Sequence, residues 1–295
     1  MHERDTRAPV SLVGVDVLEA DRSLSRALTV LARRPIVALT GAGLSTDSGI
    51  PDYRGPGSPP RTPMTYQQFL SGLPAQRRYW ARSHVGWARM AHAEPNPGHR
   101  AVAELERVAA LHGVITQNVD GLHRAAGSRA VIDLHGRISD VTCVGCGQRS
   151  PRDTLQARLA ALNPGFVEAV GDAVESAPDG DAELAAVDGF QVAWCTGCGG
   201  ALKPDVVFFG ENVPKERVAR AYAMVDAAGV LLVAGSSLTV MSGLRFVRHA
   251  HKIGTPVVIV NRGPTRGDGL ADVLVDGGCS EVLTAVAAAA AHARR

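Results

Sequence analysis

The chain has 295 residues, a formal net charge of +2 and 45% hydrophobic residues. This length suits one large domain, or a large and a small one, and it is enough to bury a sizeable core. The small net charge gives no argument for a nucleic-acid partner, and no apolar run approaches the roughly eighteen residues that a membrane span requires. We therefore expect no membrane and no direct binding of nucleic acid; the oligomeric state is unknown at this point.

The first residues, MHERDTRAPV, carry mixed charge and no apolar signal core. We predict that residues 1–20 form a flexible tail and that the protein is cytoplasmic. Five cysteines follow later in the chain. Because no secretory segment is visible, we expect a reducing compartment and no disulfides.

Short runs rich in Val and Ile alternate with helical patterns. The strand candidates are Ile36–Thr40, Val114–Thr116, Ala130–Leu134, Val206–Phe209, Val230–Ala234, Val257–Val260 and Val273–Val275. The helix candidates are Leu24–Ala32, His99–Leu111, Lys215–Ala227, Ser242–Lys252 and Ser280–Ala291. Strands that alternate with helices predict a parallel sheet covered on both faces.

The strand candidate Ile36–Thr40 leads into the segment GAGLSTDSGIPDYRG, Gly41–Gly55. A buried strand that ends in Gly-Ala-Gly is typical of a nucleotide-binding turn, because small residues let the backbone approach a pyrophosphate. The dinucleotide fingerprint GxGxxG is incomplete, since Thr46 stands where its third glycine is required. A cofactor that is only bound and reduced does not require the polar and aromatic loop Pro51–Arg54. The loop suits a cofactor in which a covalent bond is cleaved. These features, with no clear acidic residue after the second strand, argue against an ordinary dehydrogenase.

Two regions interrupt the alternation: the Pro/Gly-rich start and aromatic, Arg-rich stretch of residues 56–98, and the cysteine-containing residues 137–202. We predict an α/β fold in which a Rossmann-like parallel sheet carries a smaller inserted zinc-binding and helical domain. The Rossmann-like domain comprises residues 21–55, 99–136 and 203–295. Residues 56–98 form the helical insertion and residues 137–202 the zinc-binding insertion, with the sheet resuming near Lys203.

Polar side chains follow two of the strand candidates. Gln117, Asn118 and Asp120 come directly after one of them, where the carboxyl end of a parallel strand meets the ligand crevice. Asp120 has a structural alternative as the N-cap of the following turn. His135 ends the next strand; it is a plausible general base at neutral pH, and the alternative is a packed or solvated side chain.

Two Cys-x-x-Cys pairs, Cys143/Cys146 and Cys195/Cys198, form a strong metal signal. Each pair can supply two thiolates, and four thiolates close a tetrahedron around one zinc ion. Such a site has no open position for water, so the zinc is predicted to be structural. The alternatives are an iron–sulfur cluster or redox-active pairs. The fifth cysteine, Cys279, is by itself a small buried apolar residue.

Three later segments complete the set of candidates. Lys203–Glu211 contains an apolar run that Gly210 closes, which by itself predicts a core strand. Gly235–Ser237 and Asn261 follow two further strand candidates. Small or polar residues at these ends are where a parallel sheet presents ligand contacts.

Taken together and in order, these segments resemble the sirtuins, the NAD-consuming protein deacylases. The resemblance covers roughly residues 24–285. Its segments are Gly41–Gly55, Thr116–His123 (TQNVDGLH), Leu134–Gly136 (LHG), the two cysteine pairs, Lys203–Glu211 (KPDVVFFGE), Gly235–Leu238 (GSSL) and Val260–Gly263 (VNRG). The sequences of the segments PDYRG and GPTRGD are most similar to those of the class II branch, which includes the sirtuin-4 type.

The resemblance implies a set of residues that contact NAD. These are Gly41, Ala42, Gly43, Ser45, Thr46, Asp52, Tyr53, Arg54, Gln117, Asn118, Val119, Asp120, Gly235, Ser236, Ser237, Asn261, Arg262, Gly263 and Cys279. Within the set it implies that Gln117 and Asn118 contact the nicotinamide ribose and that Asp120 holds the carboxamide. It implies that Asn118, Asp120 and His135 are catalytic, and that His123 is structural.

The resemblance also implies a reaction. An acyl-lysine peptide or protein enters the cleft between the domains, and its backbone pairs with the strand-like segment of Val206, Val207, Phe208, Phe209 and Gly210. The acyl oxygen attacks the ribose carbon that bears nicotinamide, His135 acts as base on the ribose hydroxyls, and the products are free lysine, nicotinamide and O-acyl-ADP-ribose. The alternatives are a protein mono-ADP-ribosyltransferase that uses the same site, and a zinc-containing binding module without activity.

Tyr79 and Arg82 are spaced i, i+3 and share a face if their segment is helical. Sirtuins that remove succinyl groups carry a similar Tyr-x-x-Arg, so the pair forms a hypothetical reader of an acidic acyl chain. In the alternative, Arg82 is solvated and Tyr79 packs beside Trp80 and Trp87.

Overall fold

A computed structural model describes residues 13–32, 35–55, 62–170, 179–180 and 187–293. In this part of the chain the secondary structure forms two sheets, each with its own helices. No helix within the described ranges is long and apolar enough to cross a membrane.

The larger sheet has six strands, all parallel, in the order β3-β2-β1-β7-β8-β9. Its strands are β1 (Ile36–Thr40), β2 (Leu111–Thr116), β3 (Val131–Asp133), β7 (Val230–Ala234), β8 (Val257–Asn261) and β9 (Val273–Asp276). The strand order reverses between β1 and β7: strands β1 to β3 are added toward one edge of the sheet, and β7 to β9 toward the other. Parallel α/β sheets bind ligands at this position. The predicted Rossmann-like α/β fold is confirmed.

Helices cover both faces of this sheet because the central strands are apolar on both sides. On one face α1 (Val13–Leu31), α4 (Pro97–Arg107) and α10 (Cys279–His292) pack against Ile36 and Ala38. On the other face α8 (Lys215–Asp226) and α9 (Met241–Lys252) pack against Val37 and Leu39. Alternate residues of β1 therefore belong to two different cores, and both cores hold the strand ends in place.

The smaller unit combines helices with a three-stranded antiparallel sheet of order β5-β4-β6. Its elements are α2 (Tyr66–Leu70), α3 (Leu73–Ala91), β4 (Gly136–Cys143), β5 (Arg149–Pro151), α6 (Arg152–Leu162), α7 (Phe166–Val170) and β6 (Leu202–Val206). Helix α3 is joined to this sheet by the indole of Trp80, whose Nε1 donates to the Leu202 carbonyl over 2.9 Å. A single apolar core, which includes Phe69, Ile138 and Phe190, connects the two parts.

Three predictions about individual elements are wrong. The parallel sheet does not resume near Lys203, because β6 pairs with β4 in the small sheet and ends at Val206. Helix α1 begins at Val13, so residues 13–20 are not part of a tail, and residues 1–12 lie outside the described residues. Helix α4 ends at Arg107, because Ala109 turns the chain with a φ of 51° and β2 begins soon afterwards.

The turns after β1 and β7 pack directly against each other. Gly43 donates its backbone N–H to the Gly235 carbonyl over 2.9 Å. Gly235 has a φ of +64°, and a Cβ placed on it would collide with the backbone nitrogen of Leu44. A Cβ on Gly41 would lie 2.7 Å from the Gly235 carbonyl oxygen. These glycines are therefore required by contact between two chain segments, before any ligand is considered.

We expect Gly235→Ala to lower the free energy of unfolding by about 2–5 kcal/mol, since it combines a left-handed backbone with overpacking. Gly254→Ala is the matched control: its φ is +77°, and no atom lies within 4 Å of the added Cβ. The control should lose only the roughly 1–2 kcal/mol of the backbone term. Urea unfolding of both variants measures the difference, and equal losses would contradict the packing argument.

Candidate active site

A cavity of about 980 Å³ lies at the carboxyl ends of the parallel strands, between the two units. Residues that directly follow β1, β2, β3, β7, β8 and β9 line one side of it. Met64, Tyr79 and the segment Val206–Gly210 line the other. All the residues that the sequence assigned to NAD, to catalysis or to the peptide line this cavity, with the exception of Arg82.

Ser45, Asn118 and Asp120 line the cavity and form one hydrogen-bonded group. Asn118 donates its Nδ2 to the Ser45 hydroxyl and to the Gly41 carbonyl, both over 3.0 Å. Ser45 in turn donates its hydroxyl to Asp120 Oδ2 over 2.7 Å. These contacts fix the end of β2 to the turn after β1, so the three side chains are held in place before any ligand binds.

Asp120 has a structural contact as well as this one. Its Oδ1 accepts the backbone N–H of Leu122 over 2.9 Å, but the N-cap of α5 (Leu122–Ala125) is Gly121, so the N-cap role considered for Asp120 is not observed. Burial raises the pKa of Asp120, and the hydrogen bonds from Leu122 and Ser45 act in the opposite direction. One oxygen of Asp120 therefore supports the turn before α5, and the other contacts Ser45 in the cavity wall.

His135 lies at the end of β3 with its ring between two oxygen atoms. Nδ1 is 2.9 Å from the Gln117 carbonyl oxygen, and Nε2 is 2.8 Å from the Ser242 hydroxyl. Burial lowers the pKa of His135 to about 4; the hydrogen bond to Gln117 opposes this, and the charges of Arg217 and Arg245 add to it. The imidazole is therefore neutral at pH 7, as a base must be.

His123, in contrast, lies outside the cavity lining. It is buried, and its Nε2 is 2.9 Å from the Thr40 hydroxyl. Its ring packs edge-on against that of His99, with 5.0 Å between the ring centres. This arrangement agrees with the structural role expected from the sequence.

Asn261 and Cys279, which the resemblance assigns to NAD, lie at the end of β8 and at the start of α10. Asn261 donates its Nδ2 to the carbonyls of Arg262 and Gly263 over 3.0 and 2.9 Å, and so shapes the turn that carries them. Cys279 begins α10 and is buried. Burial raises the pKa of its thiol to about 12. Because the thiolate is the nucleophilic form, this thiol is a weak nucleophile, and Cys279 contributes to the shape of the cavity wall.

The segment Val206–Gly210 is held by hydrogen bonds at both ends. Val207 donates its N–H to the His135 carbonyl over 2.8 Å, and the Phe209 carbonyl accepts from Tyr66 over 2.9 Å. Lys203, which is 6% exposed, donates to the Val206 carbonyl over 2.8 Å and pairs with Glu211 over 3.3 Å. The segment therefore lies directly beside His135, in a fixed position.

Tyr79 and Arg82 are separated by the structure. Tyr79 is 4% exposed, lies in an aromatic cluster with Phe69, Trp80 and Phe208, and reaches the cavity with part of its side chain. Arg82, on the same helix, does not line the cavity. The cavity lining therefore supports contact of Tyr79 with a ligand, and the acid-reading Tyr-Arg pair stays a prediction.

The four predicted cysteines come together in the small unit, on turns at Cys143–Cys146 and Cys195–Cys198. Their four Sγ atoms lie within 4.8 Å of one another, and two of the separations are 3.5 and 3.7 Å. A tetrahedron with Zn–S bonds of about 2.3 Å has edges of about 3.8 Å. Backbone N–H groups of Gly145 and Gly200 point at two of the sulfurs and favour thiolates. The cluster therefore fits one zinc ion with no place for water.

Sequence reasoning missed several residues of the cavity. Ile50 and Met64 add apolar surface, and Ser242 and Arg245 add a hydroxyl and a cation from the first turns of α9. The only available signal for the second pair was its position shortly after the Gly235–Leu238 segment, which ends a parallel strand.

Comparison with known proteins gives the same assignment in three ways. A sequence model described as the Sir2 family matches residues 41–242. "NAD-dependent protein deacetylase 1" of Mycobacterium avium (strain 104) is 59% identical over 263 residues, which are 88% of this chain and 93% of the relative. The protein of the same description from Streptomyces coelicolor (strain ATCC BAA-471 / A3(2) / M145) is 52% identical over 278 residues, 93% of this chain and 92% of the relative.

Solved structures also match the fold over most of its length. One, described as "Sir2-p53 peptide-NAD+", has a TM-score of 0.72 and 31% identity, and the match covers 89% of this chain and 96% of the other. Another, from work on the mechanism and regulation of Sir2 enzymes, has a TM-score of 0.73 and 29% identity over 92% of this chain and 99% of the other.

Proposed function

The chain belongs to the Sir2 family, and we propose that it is an NAD-dependent protein-lysine deacylase. The observation that carries this proposal is the convergence of Ser45, Asn118, Asp120 and His135 on one cavity between two units. Their fixed hydrogen bonds argue against a binding module without activity, because the polar groups are positioned as a reaction site requires. The names of the relatives support the same reaction.

NAD, which the reaction consumes, supplies an ADP-ribosyl group that takes up the acyl group as nicotinamide is released. The chain's own residues have five tasks. The turn after β1 and Ser236–Ser237 after β7 lie where the phosphates and riboses bind, and Asn261–Gly263 lie at the adenosine end. Asp120 holds the nicotinamide carboxamide, and His135 takes a proton from the ribose. The cavity wall excludes water, which would otherwise intercept the activated sugar.

The substrate that best suits the cleft is an acyl-lysine within an extended peptide. The segment Val206–Gly210 is positioned to pair with it, since it lies beside His135 and already has the form of a strand end. The apolar side chains Ile50, Met64, Tyr79 and Phe208 line the same cavity and favour an acyl chain without charge. The free lysine leaves with the peptide, and the second product is O-acyl-ADP-ribose.

Three finer points belong to the same proposal. The sequences of the segments PDYRG and GPTRGD support membership of the class II branch, the sirtuin-4 type. The division into a Rossmann-like domain and two insertions, residues 56–98 and 137–202, describes how the cleft is built. A reducing compartment, the cytoplasm, suits five cysteines that are all unpaired by disulfides.

A panel of lysine peptides tests the proposal. Peptides with acetyl, longer apolar, succinyl and glutaryl groups are incubated with NAD, and mass spectrometry follows the peptide, nicotinamide and O-acyl-ADP-ribose together. Equal amounts of deacylated peptide and O-acyl-ADP-ribose support a deacylase. Nicotinamide release with ADP-ribose attached to a protein would favour the mono-ADP-ribosyltransferase, and no reaction of any kind would favour the binding module.

The same panel checks Arg82. Because this side chain does not line the cavity, we expect Arg82→Met to change the rates on acetyl and succinyl peptides by the same factor. A carboxylate reader would lose the acidic peptides selectively by about 10–100-fold, the value of a charged hydrogen bond. Arg78→Met, which removes an exposed arginine of the same helix, is the matched control.

A further inference from the structure

The ring of His135 is oriented by a carbonyl group that can only accept a hydrogen bond. The Gln117 carbonyl oxygen is 2.9 Å from Nδ1, so Nδ1 carries the proton of the neutral imidazole. The lone pair then lies on Nε2. The hydroxyl of Ser242 is 2.8 Å from Nε2 and must donate its hydrogen to it. The nitrogen that has to receive a proton during catalysis is therefore already in contact with a hydroxyl group.

The position of Ser242 is set by its neighbours. The next residue, Gly243, lies against the Gln117 carboxamide, so closely that a Cβ there would be 2.7 Å from Gln117 Nε2. Ser236 fixes the same carboxamide by donating its hydroxyl to Oε1 over 2.7 Å. The first turn of α9 is thus docked on the end of β2, and Ser242 is only 9% exposed while still lining the cavity. Little room remains for its side chain to leave His135.

We propose that Ser242 is a catalytic residue that passes the proton from the ribose hydroxyl to His135. The ribose hydroxyl gives its proton to Ser242 Oγ while Ser242 gives its own proton to His135 Nε2. One O–H bond breaks and one forms on the serine, which ends unchanged. The ribose oxygen keeps its electron pair for the attack on the acyl carbon, and the imidazole becomes a cation with protons on both nitrogens. The inference rests on the proposed deacylation.

The charges around this pair are compatible with a short-lived imidazolium. Arg217 and Arg245 are the cations that act on His135, and Arg245 lies one turn after Ser242 on α9. They oppose a permanent charge on the ring and so favour its return to the neutral form after each turnover. No carboxylate among the described residues hydrogen-bonds to the ring.

Two rates separate this role from a structural one. Exchange of labelled nicotinamide into NAD reports the steps up to nicotinamide release, and peptide deacylation reports the whole reaction, including proton removal. We expect Ser242→Ala to slow deacylation about 10–100-fold, less than the roughly 10²–10⁴-fold of a lost base, and to leave exchange near that of the unmodified protein. Ser242→Thr, which keeps the hydroxyl, should restore most of the rate. Thr284→Ala, which removes a hydroxyl that donates to the Ser280 carbonyl within α10, is the control.

Three results would overturn the proposal. Deacylation by Ser242→Ala at the unmodified rate or faster would show that the Ser242 hydroxyl binds His135 Nε2 without passing a proton to it. An equal loss of exchange and deacylation would show a role in folding of the cavity. A further loss when Ser242→Ala is added to His135→Ala would show that the two act separately.

A nitrogen NMR measurement keeps the test independent of the reaction. The Nε2 resonance of His135, assigned by its absence in His135→Ala, should shift in Ser242→Ala and keep its position in Ser242→Thr. An unchanged Nε2 resonance in Ser242→Ala would show that the hydrogen bond between Ser242 and His135, on which the relay depends, is absent in solution. If the unmodified protein neither exchanges nicotinamide nor deacylates the peptide, the proposed function fails. The NMR spectrum then still shows whether Ser242 and His135 form the hydrogen bond.

Discussion

His135→Ala is expected to reduce peptide deacylation by about 10²–10⁴-fold, the usual value of a general base. The structure gives the reason: the imidazole is neutral at pH 7, belongs to a residue that lines the cavity, and is the base of the proposed reaction. Nicotinamide exchange should fall much less, because proton removal follows nicotinamide release. The two rates are measured on one acyl-peptide that the unmodified protein deacylates well.

Folding should change little in this variant. The contact between His135 and Val207 is made by the backbone carbonyl, which alanine keeps, so the segment Val206–Gly210 stays in place. His251→Ala, which removes an exposed histidine of α9, serves as the control for the substitution itself. Unchanged turnover in His135→Ala would exclude this residue as the base, and loss of zinc or of the thermal transition would show that the substitution acts through the fold.

Removal of one zinc ligand is expected to have the largest effect on stability. Cys143→Ser and Cys195→Ser each leave three thiolates in a site that requires four, so the metal that holds the two turns together is lost. Binding of structural zinc contributes roughly 10–16 kcal/mol in isolated zinc-finger peptides, which exceeds the stability of an ordinary small domain. We expect the small unit to unfold and activity to be lost with it, since this unit supplies one wall of the cavity.

Metal analysis and thermal unfolding check this result. The unmodified protein should contain one zinc per chain and no visible absorption, and the two variants should contain none and unfold at a lower temperature. Cys279→Ser should retain the full zinc content, because Cys279 lies outside the cluster. A coloured protein would indicate an iron–sulfur cluster, and a stable variant without metal would show that the four cysteines are not needed for the fold.

The central strands were predicted with their observed bounds, and the reason is local. Ile36–Thr40 and Val230–Ala234 are short apolar runs that end at glycine, and a strand buried on both faces has no other pattern. The cysteine pairs were equally informative, because two Cys-x-x-Cys pairs in one chain are typical of a zinc site. These features depend on residues close together in the chain.

The wrong or missed features depend on partners far away in the chain. The run Val206–Phe209 predicts a strand, but the observed strand is Leu202–Val206, and its pairing with β4 places it in the small sheet. The spacing of Tyr79 and Arg82 predicts a shared face, but the packing of α3 decides which of them reaches the cavity. Ser242 reads as an ordinary residue at a helix start, and its contact with His135 spans 107 residues.

The strand order of the large sheet also determines how the protein can be made. One edge of β1 pairs with β2, and the other edge pairs with β7. Strand β7 is about 190 residues further along the chain, so the ribosome synthesises it much later than β1. At about 5–20 residues per second this is a delay of about 10–40 s, during which an apolar strand edge stays open to other chains. Folding of the large unit is therefore delayed until the interrupting residues have been synthesised, and a nascent chain that stops before β7 has no crevice for a nucleotide.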